Sequence, residues 1–146
     1  MKRALVAGLI VLGAAAGCGG SRHATSLPGL TAKKLAKLEA IVRNDARIDG
    51  DAHPSSVMVY ASRRHEANVA AGAGTGVLGS QPVYLVVVRG QFVCSTCSGP
   101  AGAAPPKGNV ITLVLGRSKL QGLDFGIGGQ QIDTGALGPG LPVSLG

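Results

Sequence analysis

Val83-Tyr84-Leu85-Val86-Val87-Val88 is the segment that most narrows the folds open to this chain, because it is apolar at every position and rich in β-branched side chains. A strand of that kind has no polar face to offer water, which places it at the centre of a sheet rather than at an edge. Three more runs carry strand character: residues 57–62, residues 110–115 and the shorter residues 123–127. Arg89-Gly90-Gln91-Phe92-Val93 either continues the central strand past a glycine bulge or returns as the arm of a tight hairpin, and the bulge is the preferred reading. The 24 Gly and 8 Pro of the chain punctuate these runs. Residues 116–122 make a hairpin connection, whereas residues 72–82 and 95–109 are long loops of small residues.

One helical pattern precedes the strands. Thr31 is placed as an N-cap, Leu30 and Leu35 stand at the positions of a hydrophobic staple, and Leu35, Leu38, Ile41 and Val42 recur at helical spacing. A helix is therefore predicted from residue 32 to 44–48, with Gly50 as its stop. Lys33, Lys34, Lys37 and Arg43 lie largely off its apolar stripe, and Glu39 and Arg43 form an i,i+4 pair. The connections between strands hold no second helical pattern, so no crossover helix for parallel pairing is expected. The predicted fold class is α+β, one N-terminal helix packed on a four-stranded antiparallel sheet. That α-β-β-β-β order resembles cystatin-like folds and, more loosely, the PepSY-type domains of exported bacterial proteins. The pattern of residues 83–86 followed by Gly90-Gln91-Phe92 and a Pro/Gly loop is also similar to a group of small exported bacterial proteins. The first two resemblances are of topology alone and imply no site residues.

The N-terminus supplies an address. Lys2 and Arg3 are followed by thirteen uncharged, mostly apolar residues, 4–16, a length suited to a signal-peptide core and short of the roughly 20 residues of a membrane-spanning helix. Ala15-Ala16-Gly17-Cys18 closes the run and resembles the lipobox of bacterial lipoproteins, with Ala15 where Leu is most frequent. The resemblance implies cleavage before Cys18, a diacylglycerol thioether on its sulfur, and attachment to the extracytoplasmic face of the cell membrane. Ala14-Ala15-Ala16 is also an A-x-A site, at which ordinary signal peptidase would release a secreted protein beginning at Gly17. Cysteine parity favours lipidation: the chain holds Cys18, Cys94 and Cys97, and acylating the first leaves an even pair in an oxidising compartment. The expected organisation is a signal peptide over residues 1–17, a flexible tether over 18–29, and a small α+β domain over 30–146 ending in a Gly-rich tail.

Composition bounds function from the other side. With 45% hydrophobic and 14% charged residues the chain lies far from the signature of disorder. Trp is absent and only two Tyr and two Phe are present, a lean supply for base stacking, and with export this argues against nucleic acid as a partner. Lys33, Lys34 and Lys37 with Arg63 and Arg64 are read first as solvated faces and second as a patch beside an anionic membrane.

Cys94-Ser95-Thr96-Cys97 is the sharpest local motif. A thiol–disulfide oxidoreductase sets C-x-x-C at a helix N-terminus, but Ser98-Gly99-Pro100-Ala101-Gly102 does not propagate a helix, so a loop-pinning disulfide or a reduced pair is preferred to catalysis. Bridging requires Ser95 and Thr96 to turn, because an extended strand separates such residues by about 10 Å. His53 and His65 lack the paired ligands of a zinc site, and Asp49-Gly50-Asp51-Ala52-His53 lacks the length of a calcium loop. Gly72-Ala73-Gly74-Thr75-Gly76 lacks the Lys and following helix of a phosphate loop. Asp124 and Asp133 are the carboxylates whose proximity the sequence leaves open. No cofactor motif and no acid/base pair emerge, and the expectation is a binding module, with an envelope thiol–disulfide protein using Cys94 and Cys97 as the alternative. Its partner is an envelope protein or peptide met by an edge strand or the long loops.

Overall fold

A computed structural model describes residues 23–146 apart from Thr75, Val77, Ser98, Gly99 and Gln130. Residues 1–17, expected as a signal peptide, and Cys18 lie outside the described residues. The domain is α+β. A helix α1 (Ala32–Ile48) leads into strand β1 (Ser56–Arg63), a short helix α2 (Arg64–Ala70), and strands β2 (Pro82–Val93), β3 (Lys107–Gly116), β4 (Gly122–Gly128) and β5 (Leu141–Val143). The strands form one sheet in the order β4-β3-β2-β1-β5, antiparallel throughout.

α1 begins where Thr31 Oγ1 accepts the amide of Lys34 at 3.3 Å, and it ends where Gly50 takes a φ of +94°. Leu38, Val42 and Ala46 form its buried stripe. They rest on the alternate residues of the sheet that point the same way: Val57 and Val59, Tyr84, Val86 and Val88, Ile111, Leu113 and Leu115. The opposite set, Val83, Leu85, Val87, Val110 and Val114, packs beneath Ala67 and Ala70 of α2 and Ile132 of the C-terminal segment. Full apolarity of β2 thus answers to layers on both faces, with β2 the middle strand of five.

The expected count of one helix and four strands is corrected, among the described residues, to two α-helices and five strands. α2 escapes a periodicity reading because it has seven residues, fewer than two full turns, and its buried residues are two alanines and the polar Asn68. Glu66 supports its first turn by accepting the Arg63 amide at 3.3 Å, the return half of a capping box. β5 is three residues long and contains Pro142. The tail expected beyond β4 therefore returns to pair with β1, Val143 opposite Val57 and Leu141 opposite Val59. Residues 23–29, placed within a flexible tether by composition, pack on the domain instead: Leu27 is buried, Tyr84 Oη donates to the Pro28 carbonyl at 2.8 Å, and the Ala24 amide donates to Gly140 O at 2.8 Å.

β2 runs unbroken to Val93, and its register on β3 shifts between Arg89 and Phe92, so residues 89–93 continue the strand past a bulge. The Gln91 amide donates to Asp51 Oδ2 at 2.9 Å. A Cβ on Gly90 would collide with the Asp51 carboxylate and the Phe92 ring, which is why glycine stands there.

Candidate functional site: the open edge of the sheet

β4 ends the sheet, and among the described residues no strand lies beyond it. Its seven residues, Gly-Leu-Asp-Phe-Gly-Ile-Gly, leave the outer backbone groups thinly covered, and Phe125 is 47% exposed. Such an edge is a ready template for another extended chain. A groove flanks it on each face. On the α2 face a cavity of about 450 Å³ runs between Asn68, Gly72 and Ala73 on one side and Thr112, Gly126 and Ile132 on the other. On the α1 face an apolar hollow of about 510 Å³ is walled by Ile41, Leu113, Leu115, Leu120 and Leu123, with Asp45 at its helix side. Phe125 and Asp124 border both.

One polar cluster fixes β4 to α2. Arg64 donates twice to Asp124, Nε to Oδ2 at 2.9 Å and Nη2 to Oδ1 at 3.1 Å, and Asn68 Nδ2 adds a bond to Oδ2 at 3.1 Å. Asn68 is buried and its amide also donates to the Arg64 carbonyl at 2.9 Å. Two-pronged donation from a guanidinium is the strong form of carboxylate recognition. The Arg64 hydrogen bonds hold the Asp124 carboxyl below its ordinary value, with Asn68 assisting against partial burial. At Asp45 burial dominates and pushes the carboxyl up, outweighing the bond from Asn44. The two carboxyls beside the edge thus differ in character: Asp124 is committed to a structural tie, and Asp45 is an incompletely solvated acceptor in an apolar wall.

The motifs read from sequence fall elsewhere. Cys94 and Cys97 form a disulfide with Cα atoms 5.4 Å apart, at the end of β2. Cys94 is 1% exposed, its amide donates to Pro106 O at 2.8 Å, and Ser95 Oγ donates to the Ile48 carbonyl at 3.1 Å. The bridge closes a local turn, and the bonds of Ser95 Oγ to Ile48 O and of the Val93 amide to Asp49 O tie the end of β2 to the C-terminus of α1. Asp51 Oδ1 accepts the His53 amide at 2.9 Å while Oδ2 serves the bulge, so this carboxylate is spent on backbone. Among the described residues no three His, Cys, Asp or Glu side chains are grouped to hold a metal ion. Asp133 caps the Gly135 amide at 3.1 Å. Gly72 and Ala73, from the glycine-rich loop, line the α2-side groove.

Asn68, Thr112 and Ile132 carry no motif that singles them out in the sequence, and Arg64 reads there only as a cation. The signal that exists for α2 is the Arg64-x-x-x-Asn68 spacing, which sets both side chains on one face of a helical turn beside Glu66 at N3. Compared with known proteins, the chain matches no family model, no curated sequence and no solved structure. No described helix is long and apolar enough to cross a membrane.

Proposed function

We propose that this chain is an extracytoplasmic lipoprotein, held to the cell membrane by lipid on Cys18, whose domain is a binding module for an extended peptide segment of an envelope protein. The observation that carries the binding role is the open β4 edge with a groove on each face. A strand added to that edge gains main-chain hydrogen bonds, and its alternate side chains point to opposite faces, one set toward each groove. The apolar wall on the α1 side selects aliphatic or aromatic side chains, and Asp45 adds a preference for a donor beside them. The α2-side groove, bordered by Thr112, Gly126 and Asn68, suits small or polar residues. Burial of Cys94 within its disulfide speaks against a thiolate nucleophile there. The helix-then-strands order supports the likeness to cystatin-like folds, with α2 and β5 as additions.

The test is selection of binding peptides from a library on the purified mature protein, followed by hydrogen exchange of the complex. The expected result is slowed exchange confined to residues 122–128, with aliphatic or aromatic residues recurring at every second peptide position. Protection centred on the disulfide loop instead, or a selection that yields no binder, overturns the edge-addition reading. The address is read separately from the intact mass of the protein extracted from its membrane: a diacylglyceryl addition at Cys18 supports it, and an unmodified chain starting at Gly17 removes it.

A further inference from the structure

The end of the domain where α1 begins is strongly cationic. Lys34 Nζ donates to the Arg117 carbonyl at 2.9 Å and Lys37 Nζ to the Lys119 carbonyl at 3.0 Å, which lays the first turns of α1 along the β3–β4 turn. The Arg117 amide donates to Pro82 O at 3.1 Å, and Pro82 is paired with Arg63 at the end of β1. Arg63 Nη1 in turn donates to the Ser80 carbonyl at 3.0 Å. With exposed Lys33 beside them, Lys34, Lys37, Arg63, Arg117 and Lys119 form one pole. Among the described residues none of these six cations is paired with a carboxylate. The acceptors of Lys34, Lys37 and Arg63 are carbonyl oxygens, which orient a cation without cancelling its charge, and the Arg117 guanidinium lies 5.5 Å over the Tyr84 ring. Glu66, the carboxylate nearest in sequence to Arg63, accepts from Ser62 Oγ and the Arg63 amide.

An apolar residue stands at the same pole. Leu78 is 81% exposed, the most exposed large hydrophobic among the described residues. It is followed by Gly79 and Ser80, whose carbonyls accept from the His65 amide at 3.1 Å and from Arg63. Cations and an exposed leucine at one end of the domain match the layering of an anionic bilayer surface, where headgroup phosphates lie just outside acyl chains. A soluble anion has use for the cations and none for the leucine.

We infer that this pole docks on anionic phospholipid headgroups, with Leu78 entering the acyl boundary, so that the β4 edge is presented at a fixed orientation to the membrane. This rests on the proposed lipid address, and the geometry permits both contacts together. Cys18 precedes His23 by five positions, a reach of at most about 18 Å. His23 bridges to Gly140, which lies against the Tyr60 ring, and Arg63 is three residues further along β1, about 10 Å away. Each cation near such a surface strengthens binding about fivefold, an effect that salt weakens.

The chain has no Trp, so Leu78→Trp and, as a control, Phe125→Trp each create a single reporter in the mature protein purified from its membrane. On phosphatidylglycerol-containing vesicles with brominated acyl chains, the reporter of Leu78→Trp is expected to shift to the blue and to be quenched, while that of Phe125→Trp is not. On pure phosphatidylcholine vesicles the quenching at position 78 is expected to fall at least about fivefold. Adding Lys37→Glu and Lys119→Glu, both at exposed side chains, is expected to abolish it with the urea midpoint unchanged. Equal quenching on both lipids, quenching at position 125 rather than 78, or the same blue shift with inorganic phosphate alone would each overturn the proposal. Flotation with pure phosphatidylcholine vesicles reports the acyl anchor independently. A protein that does not float there lacks the lipid, and the phosphatidylglycerol experiment still decides the pole.

Discussion

The two edges of this sheet are finished in opposite ways. At the β5 edge the strand is three residues long and carries Pro142, which has no amide to offer. The incoming chain adds further cover there through the His23–Gly140 bridge and the Ala24 amide bond. At the β4 edge the seven-residue strand pairs with β3 on its inner side, has no strand on its outer side among the described residues, and carries a groove on each face, and the added constraint comes from side chains, the Arg64–Asp124–Asn68 cluster. Short edge strands and proline are devices that prevent unwanted pairing. Their presence at one edge and absence at the other is the contrast on which the proposal of β4 as the binding edge rests.

Whether the difference is local is tested first by a change that strikes both edges alike. Leu38 is fully buried between α1 and the centre of the sheet. Leu38→Ala is expected to destabilise the fold by about 2–5 kcal/mol, read from the urea midpoint. Hydrogen exchange at both edges should rise, and β4 should remain the faster of the two. If the edges become indistinguishable, their contrast belongs to global stability rather than to edge construction. The second change strikes neither edge. Replacing Cys94 and Cys97 together by Ser releases a four-residue loop, for which the loop-closure relation gives about 2 kcal/mol. Peptide binding at β4 and the exchange ranking of the two edges should be unaltered. Loss of binding with stability retained would instead move the functional centre to the cysteines.

Most of this architecture is legible in the sequence because it is written in strong periodic patterns. The Thr31 cap, the Leu38–Val42 stripe and the unbroken apolarity of residues 83–88 each point to one local structure, and the helix and four strands stand close to where those patterns put them. Gly90 marks the bulge for a reason visible only in three dimensions, the approach of Asp51 from 39 residues earlier in the chain. The two missed elements, α2 and β5, are too short to display a period; they exist because the sheet presents Val83, Leu85 and Val87 to one and Val57 and Val59 to the other. The candidate site is the least legible part. An open edge is a property of strand order, and strand order depends on where the C-terminal residues return, which no local motif encodes. Asp124 is visible as a carboxylate in a strand, but its partners lie 60 and 56 residues away.

Closure of the β5 edge is open to direct attack at Gly140. A Cβ there would come within 2.6 Å of the Tyr60 ring and 2.9 Å of Met58, so Gly140→Ala forces the returning segment away from β1. Overpacking of this kind costs about 1–3 kcal/mol, and a single methyl group belongs toward the lower end. The expected outcome is faster exchange at residues 141–143, with residues 122–128 unchanged. If the β5 amides of the Gly140→Ala variant exchange as before, the edge is held by something other than this close approach.

The smallest effect expected is a pH dependence confined to the β4 side. Asp124 has a folded-state pKa below the ordinary carboxylate value, held there first by the Arg64 hydrogen bonds, so as pH falls the unfolded chain takes up its proton before the folded one does. The stability this tie contributes is present above about pH 4 and is lost as pH drops through the lowered folded value. Asp45 works in the opposite sense: burial raises its carboxyl, so its ionisation opposes folding at neutral pH and protonation relieves that opposition as pH falls through the raised value. Acidification should therefore firm the α1-side groove first and loosen β4 from α2 only later. Urea midpoints taken across this range should show Asp124→Asn flattening the acid limb, since it keeps an oxygen for Arg64 but has no proton to gain. Asp45→Asn should raise the midpoint slightly at neutral pH and leave the acid limb in place. An acid limb that survives Asp124→Asn unchanged would mean that the cluster joining β4 to α2 does not set the acid response of the open edge.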